Sequence, residues 1–194
     1  DALVLKNKSE SPIWIEIRED EVLFHDAEDL WGKTTSEIQQ ALDSKAGKIV
    51  IGPAGENLVK YACIFSGERA AGRGGTGAVM GDKNIKAITA KGNLKPKIAE
   101  PEKTKEFYKK WINTLRNHPL TGEQLPTLGT AGLISLMQHK NILATKNFKY
   151  GQYDDFEMVS GERLKKEFLV KNKGCVTCPI QCGRQEEING KVVK

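Results

Sequence analysis

Three of the four cysteines lie close together near the end of the chain, at Cys175, Cys178 and Cys182. Their spacing, C-x2-C-x3-C, lets three thiolates converge on one metal centre because the connecting loop is short. Gly174 and Gly183 flank this loop and permit unusual backbone angles. The spacing favours an iron–sulfur cluster, which takes four thiolates and so needs one more from elsewhere.

Other interpretations of these cysteines stay open. A structural zinc site usually pairs C-x2-C with a second, distant pair, and only Cys63 or a distant histidine could complete it. Disulfides are disfavoured because three crowded cysteines without a secretion signal indicate a reducing compartment. Cys63 alternates with apolar neighbours in "VKYACIFSG" and is predicted to be a small buried packing residue in a strand. If so, the fourth ligand lies outside the chain.

A second stretch, "GERAAGRGGTGAVMGDKN" at residues 67–84, is rich in glycine. Glycine lets the backbone approach a ligand closely and turn its N–H groups inward. Arg69 and Arg73 add bidentate donors for phosphate. The stretch is not a P-loop, and "GRGGTG" lacks the strand–helix context of a dinucleotide fingerprint. It predicts an anion cradle for a phosphate-bearing ligand, with a flexible loop as the alternative.

The elements that must position these two motifs divide the chain near residue 98. Residues 1–97 are predicted to be β-rich, with strands at 2–6, 13–17, 21–26, 48–52, 57–66 and 84–92 and one helix capped by Thr34 or Thr35. "NLKPKIAEPEK" reads as a linker. Residues 98–194 are predicted to be helical, over 104–116, 131–139 and 161–170. The fold class is therefore α+β.

Composition excludes several classes of function. The net charge of +5 is spread along the chain without a basic, aromatic-rich stripe, so nucleic-acid binding is not expected. No apolar run approaches the roughly 20 residues that span a bilayer, and no signal peptide is recognisable, which predicts a cytoplasmic protein. The chain begins without Met at a strand-like segment, and we expect it to be a fragment of a longer protein.

Three segments together resemble the tungsten-containing aldehyde ferredoxin oxidoreductase family. They are "IGPAGENLVKYACIFSGERAAGRGGTGAVMGDKNIKAI", "LPTLGTAGLISLMQHKNILATKNF" and "NKGCVTCPIQCGR". Their order and spacing are more specific than any one of them. The resemblance implies a fragment that holds the second half of a β-rich, pterin-binding N-terminal domain and the start of a helical domain.

The resemblance also implies cofactors and site residues. Enzymes of this family oxidise an aldehyde to a carboxylic acid and pass two electrons to ferredoxin. They use tungsten or molybdenum held by two pterins, a magnesium ion and one [4Fe–4S] cluster. By that resemblance Arg69, Gly72, Arg73 and Gly74 hold pterin and phosphate. The carbonyl of Ala70 binds magnesium, and the three clustered cysteines bind the [4Fe–4S] cluster, whose fourth ligand lies beyond the chain.

Two hypotheses follow, with a third more distant. The first is a piece of a tungstopterin oxidoreductase that is inactive as a fragment, and whose full-length parent could form a homodimer. The second is an electron-transfer or scaffold protein of the same fold with the cluster and no pterin chemistry. The third is a zinc-binding structural module. The intact "RAAGRGG" favours the first, because a protein with a cluster alone has no use for a phosphate cradle.

Overall fold

The computed structural model describes residues 2–193 and divides into two compact units, residues 1–96 and 97–194. The first unit is built on one six-stranded mixed sheet with the order β2-β1-β6-β3-β4-β5. Only β1 and β6 run parallel, and the other neighbours are antiparallel. Its strands are β1 (Ile13–Ile17), β2 (Val22–Asp26), β3 (Gly47–Val50), β4 (Ile64–Ser66), β5 (Arg69–Ala71) and β6 (Ile85–Ala90). Its helices are α1 (Thr35–Ala41), α2 (Pro53–Glu56) and α3 (Thr76–Asp82), with a 3-10 turn at Glu28–Leu30.

Two hydrophobic clusters bury the two faces of this sheet. One contains Met80 of α3, and the other contains Ile38 of α1. Ala87 and Ile88 are consecutive in β6 and belong to different clusters, as expected for a strand whose side chains alternate between faces. Helices α1 and α3 therefore cover opposite faces of the sheet.

Helix α1 begins where the sequence predicts. Thr34 accepts a hydrogen bond from the Glu37 backbone N–H, and the Glu37 carboxylate accepts one from the Thr34 backbone N–H. This reciprocal capping box satisfies two N–H groups that a helix start leaves without partners. Ile38 is fully buried and fastens the helix to the sheet.

The second unit contains more helix, and a small antiparallel sheet with the order β7-β8-β9. Its α-helices are α4 (Pro101–Asn117), α5 (Leu125–Leu128), α6 (Leu133–His139) and α7 (Gly161–Glu167). Short 3-10 turns lie at Thr130–Gly132 and Phe156–Val159, and a π-helical turn at Pro119–Gln124 follows α4. The strands are β7 (Leu169–Lys173), β8 (Gly183–Ile188) and β9 (Lys191–Val193).

Three predicted elements differ in the structure. Residues 2–6 form no strand, although Leu5 packs against the core. The strand predicted over 57–66 begins only at Ile64, because the chain turns after α2. The helix predicted over 161–170 ends at Glu167, since the chain then pairs with β8 as β7. Among residues 2–193, no helix is both long and apolar enough to cross a bilayer.

Candidate cofactor cradle and cysteine loop

The glycine-rich stretch is a β-hairpin rather than a loop over its first part. Ser66 and Arg69 pair across a two-residue turn, and β5 lies at the edge of the six-stranded sheet. Gly67 opens the turn with φ +58°, the left-handed angle that such a hairpin places at its first central residue. The Gln39 side chain of α1 bonds both the N–H and the C=O of Gly67. The turn is therefore held by α1.

The hairpin determines where the Ala70 backbone points. In an antiparallel ladder, hydrogen-bonded pairs alternate with non-bonded pairs. The pair beside the turn, Ser66 and Arg69, is the bonded one, so the next pair, Phe65 and Ala70, is not. The N–H and C=O of Ala70 therefore face the open edge of the sheet, where the carbonyl is available to a cation.

The two arginines of the cradle are exposed, as are Ala70, Gly72 and Gly74. Within residues 2–193, neither the Arg69 nor the Arg73 side chain has an ion-pair or hydrogen-bonding partner. The chain then passes through Gly74 (φ +79°) and Gly75 (φ +66°) into α3. Two unpaired guanidinium groups thus flank a carbonyl on an open edge, an arrangement that suits an anionic ligand with its counter-cation.

Helices α2 and α3 pack closely just behind the cradle. A Cβ at Gly81 would lie 2.0 Å from the Gly55 carbonyl oxygen. A Cβ at Gly77 would lie 2.6 Å from the Cys63 carbonyl oxygen. Glycine is required at Gly81 for the contact with α2 and at Gly77 for the contact with Cys63, because these neighbours are backbone atoms that cannot rotate away. The start of α3, and with it the cradle, is fixed by this packing.

A buried ion pair fastens α2 to the sheet. Lys86 of β6 is fully buried and donates to the Glu56 carboxylate and, at 3.0 Å, to the Lys33 carbonyl. Glu56 also accepts from the Gly32 backbone N–H at 3.0 Å. Burial lowers the pKa of Lys86, and the Glu56 carboxylate opposes that shift. In the sequence, the signal for this pair is a lysine flanked by Ile85 and Ala87 in "NIKAITAKG", but that signal does not identify Glu56 as the partner.

Cys63 does not sit in a strand, contrary to our expectation. It lies one residue before β4 and is half-buried. With Tyr61 and Gly52 it lines a cleft of about 370 Å³ beside the cradle. A Cβ at Gly72 would lie 3.8 Å from its Sγ, so the cleft and the cradle adjoin.

The other three cysteines lie on the loop between β7 and β8. Cys175 is exposed, Cys178 and Cys182 are half-buried, and all three are free thiols. The Cys178 N–H donates to the Cys175 carbonyl at 3.1 Å, which closes the first turn of the loop. Thr177 (φ +65°) and Gln181 (φ +54°) adopt the left-handed conformation, and this tightens the loop further.

The glycines at the ends of this loop allow close approaches. A Cβ at Gly183 would lie 2.4 Å from the Lys173 carbonyl, and one at Gly174 would lie 2.6 Å from the Gln181 side chain. In the part of the chain that the structure describes, no three His, Cys, Asp or Glu side chains converge as a metal site. The donor set itself, three unlinked thiols on one short loop, has the chemistry that a thiolate-bound cluster requires.

Two family models match the chain. One, described as the N-terminal domain of aldehyde ferredoxin oxidoreductase, matches residues 1–92. The other, described as domains 2 and 3 of the same enzyme, matches residues 106–194.

Curated relatives and a solved structure agree with these matches. The chain is 42% identical to the tungsten-containing aldehyde ferredoxin oxidoreductase of Thermococcus kodakarensis over 97% of its length. It is 44% identical to the enzyme of that name from Pyrococcus furiosus over 95% of its length. It spans 32% and 31% of these relatives, about a third of each. The solved active-site complex BamBC of benzoyl coenzyme A reductase with 1,5-dienoyl-CoA aligns with a TM-score of 0.69 at 28% identity, over 95% of this chain and 31% of that one.

Proposed function

Because the chain belongs to the aldehyde ferredoxin oxidoreductase family, we propose that it is part of a tungstopterin enzyme that oxidises aldehydes to carboxylic acids. The electrons pass to ferredoxin, and the full-length protein acts in the cytoplasm. The observation that carries the proposal is the cradle on the open edge strand. Two unpaired arginines there flank an outward-facing carbonyl.

The chain's own residues would hold the cofactors. Arg69 and Arg73 would bind the pterin phosphates by bidentate hydrogen bonds. Gly72 and Gly74 would let the ligand approach the backbone, and the Ala70 carbonyl would bind magnesium, a hard cation that prefers oxygen ligands. The metal bis-pterin, when bound, supplies the two-electron redox chemistry. Hydrogen bonds from this chain would orient the pterin and exclude competing positions.

The cysteine loop would carry the electrons onward. Cys175, Cys178 and Cys182 would provide three thiolates to a [4Fe–4S] cluster, and a ligand outside the chain would provide the fourth. Free thiols on a compact loop support this assignment. The alternative is an electron-transfer or scaffold protein with the cluster and no pterin. The unpaired arginines of the cradle favour the enzyme, since a cluster alone needs no phosphate binding.

The test is metal analysis of the full-length protein purified without oxygen. We expect tungsten or molybdenum together with about four irons per chain. Iron without tungsten or molybdenum would overturn the enzyme and leave the electron-transfer alternative. Zinc without iron would contradict both hypotheses and indicate a structural zinc module.

Variants of the same protein separate the two cofactor sites. Arg73→Gln removes a phosphate donor and should lower the tungsten or molybdenum content while the iron content stays near that of the wild type. Cys178→Ser should lower the iron content. Arg116→Gln, an exposed arginine of α4, is the matched control and should change neither. Equal metal contents in Arg73→Gln and the control would contradict the role of the cradle.

A further inference from the structure

Arg184 joins the cysteine loop to helix α5. Its Nη2 donates to the carbonyls of Leu125 at 2.9 Å and Pro126 at 3.0 Å. Its Nη1 donates to the carbonyls of Gly183 at 3.0 Å and Gln181 at 3.3 Å. A single guanidinium therefore ties both sides together, and all four acceptors are uncharged.

The positive charge of Arg184 has no carboxylate bonded to it. No ion pair among residues 2–193 includes this side chain. Its Nε is buried and is the one buried side-chain nitrogen or oxygen in the described part of the chain without a hydrogen-bond partner. Burial lowers the pKa of Arg184, and the charges of Cys182 and Glu186 oppose that shift. A buried charged donor without an acceptor is costly unless an anion completes it.

Gly129 makes the space in which the guanidinium lies. Its backbone angles, φ +65° and ψ −161°, are accessible to glycine and strained for other residues. A Cβ there would lie 3.0 Å from the Cys182 carbonyl and 3.4 Å from Nε and Cζ of Arg184. The "LPTLGTAG" segment thus forms a wall that holds the guanidinium against the backbone of a cysteine of the loop.

We propose that Arg184 positions the cysteine loop and raises the reduction potential of the iron–sulfur cluster that the proposed function assigns to it. This inference rests on that proposed function. A thiolate-bound cluster becomes more negative when it gains an electron, so a fixed nearby cation stabilises the reduced form. Net charge and hydrogen bonds around the sulfurs are the means by which a protein sets this potential.

The geometry separates two contributions of Arg184. The four carbonyl contacts need the planar fork of a guanidinium, whereas the effect on potential needs only a positive charge close to Cys182. Lysine keeps the charge and loses most of the contacts, and glutamine loses both. Arg163→Gln is the matched control, because Arg163 lies on α7 and pairs with Glu167.

The experiment uses the full-length protein purified without oxygen. Iron content is measured first, and the cluster is then titrated with reductant while its reduced form is followed by electron paramagnetic resonance. We expect Arg184→Gln to make reduction at least about tenfold less favourable, or about 59 mV for one electron. Arg184→Lys should keep most of the wild-type potential, and Arg163→Gln all of it.

Each outcome decides between alternatives. An unchanged potential in iron-loaded Arg184→Gln would overturn the inference and leave the proposed function intact. A shift as large in Arg184→Lys as in Arg184→Gln, or a shift in the control, would overturn it also. If Arg184→Gln loses its iron while Arg163→Gln keeps it, the loss supports the positioning role, and a tenfold shift in the potential of iron-loaded Arg184→Lys would overturn the role of the charge. A wild-type protein without iron would overturn the proposed function first and this inference with it.

Discussion

The two units stabilise their candidate sites by different means. In the first unit the cradle is attached to a sheet covered on both faces, whose buried residues include Ile15, Ile51 and Ile38. In the second unit, as far as residues 97–193 go, no large apolar side chain is fully buried. Its cysteine loop is held by glycine contacts and by carbonyls that bind Arg184. The cradle therefore has its own core, whereas the cysteine loop depends on polar contacts.

Each site is therefore sensitive to a different kind of substitution. A cradle attached to a packed core should lose its binding geometry when the core is disturbed, even at a distance from the ligand. A loop held by polar contacts should lose its conformation when a particular hydrogen-bond donor or glycine is replaced. Substitutions in the core and in the polar contacts separate these two mechanisms.

The largest loss of stability is expected from Lys86→Met. The change leaves the Glu56 carboxylate buried without its cation, which should cost about 3–5 kcal/mol of unfolding free energy. The measurement is urea unfolding of the 194-residue chain followed by tryptophan fluorescence, since Lys86 lies over the Trp31 ring at 5.7 Å. Lys91→Met is the control, because Lys91 forms an exposed pair with Asp43 and such pairs contribute little.

The double variant of Lys86→Met and Glu56→Met separates the loss of the pair from the cost of an unpaired buried charge. Replacing Glu56 by Met as well removes the uncompensated charge, and buried pairs replaced by apolar residues are often no less stable. We expect the double variant to recover most of the lost stability. A double variant as unstable as Lys86→Met would show that the fold needs the pair itself, through the Lys33 and Gly32 backbone contacts.

A smaller loss of stability is expected from Gly81→Ala. Alanine there places a Cβ 2.0 Å from the Gly55 carbonyl, so α2 and α3 must separate. Overpacking of this kind costs about 1–3 kcal/mol. Gly47→Ala is the control, since its Cβ would lie at an ordinary 3.6 Å from the nearest atom. In the full-length protein, Gly81→Ala should also lower the tungsten or molybdenum content, and wild-type metal content would contradict the link between this packing and the cradle.

A smaller effect is expected from Thr34→Ala, which removes the cap of α1. The loss at neutral pH should be about 1 kcal/mol, typical of such caps. The Thr34 hydroxyl holds the pKa of the Glu37 carboxyl below its usual range, with the Thr34 backbone N–H contributing also. A lowered pKa in the folded state contributes stability at neutral pH that is lost as the pH falls through that pKa.

As the pH falls below the ordinary carboxyl range, about 4, the wild-type chain loses this contribution and the Thr34→Ala chain has less to lose. The stability difference between them should therefore shrink in acid. Thermal unfolding at a series of pH values measures it, and a difference that is constant or grows in acid would contradict the capping box as its cause.

Sequence predicted the local features and missed the long-range ones. The start of α1 was predictable because Thr34, Glu37 and Ile38 lie within one helical turn. The Lys86–Glu56 pair joins residues 30 positions apart, and spacing along the chain gives no sign of it. Strands β7 and β8 of the small sheet were not predicted, because "LVKNK" and "GRQEEI" lack the alternation of apolar residues that indicates a strand. Its formation depends on pairing between strands rather than on the composition of either.

The same reasoning explains what was predicted of the sites. Each motif is compact in the sequence: the three cysteines lie within eight residues, and the arginines and glycines of the cradle lie within residues 67–84. Each group could therefore be recognised from the sequence alone. The open sheet edge at Ala70 could not be recognised from the sequence, because strand β5 lies inside a glycine-rich segment and is defined only by its pairing with β4. The cysteine motif alone indicates no role for Arg184, since its partners at Leu125 and Pro126 come from a helix far away in the sequence.

The smallest change in stability is expected from a substitution on α4 of the second unit. Phe107, Tyr108 and Trp111 are all more than half exposed on this helix, so Trp111 has little packing to lose. Trp111→Ser should change the stability of the 194-residue chain by less than about 0.5 kcal/mol. Trp14→Ser in the first unit should cost much more, because Trp14 packs against the buried cluster of Ile38 and Val50.

The contrast between these two tryptophans is the most direct test of the comparison. If Trp111→Ser destabilises the chain as much as Trp14→Ser, then α4 has an apolar partner within the chain and the second unit has a core of its own. If Trp111→Ser is neutral, the second unit derives its stability elsewhere, and the polar contacts of Arg184 become the main means of holding the cysteine loop. Unfolding followed in each variant by the remaining tryptophans distinguishes the two results.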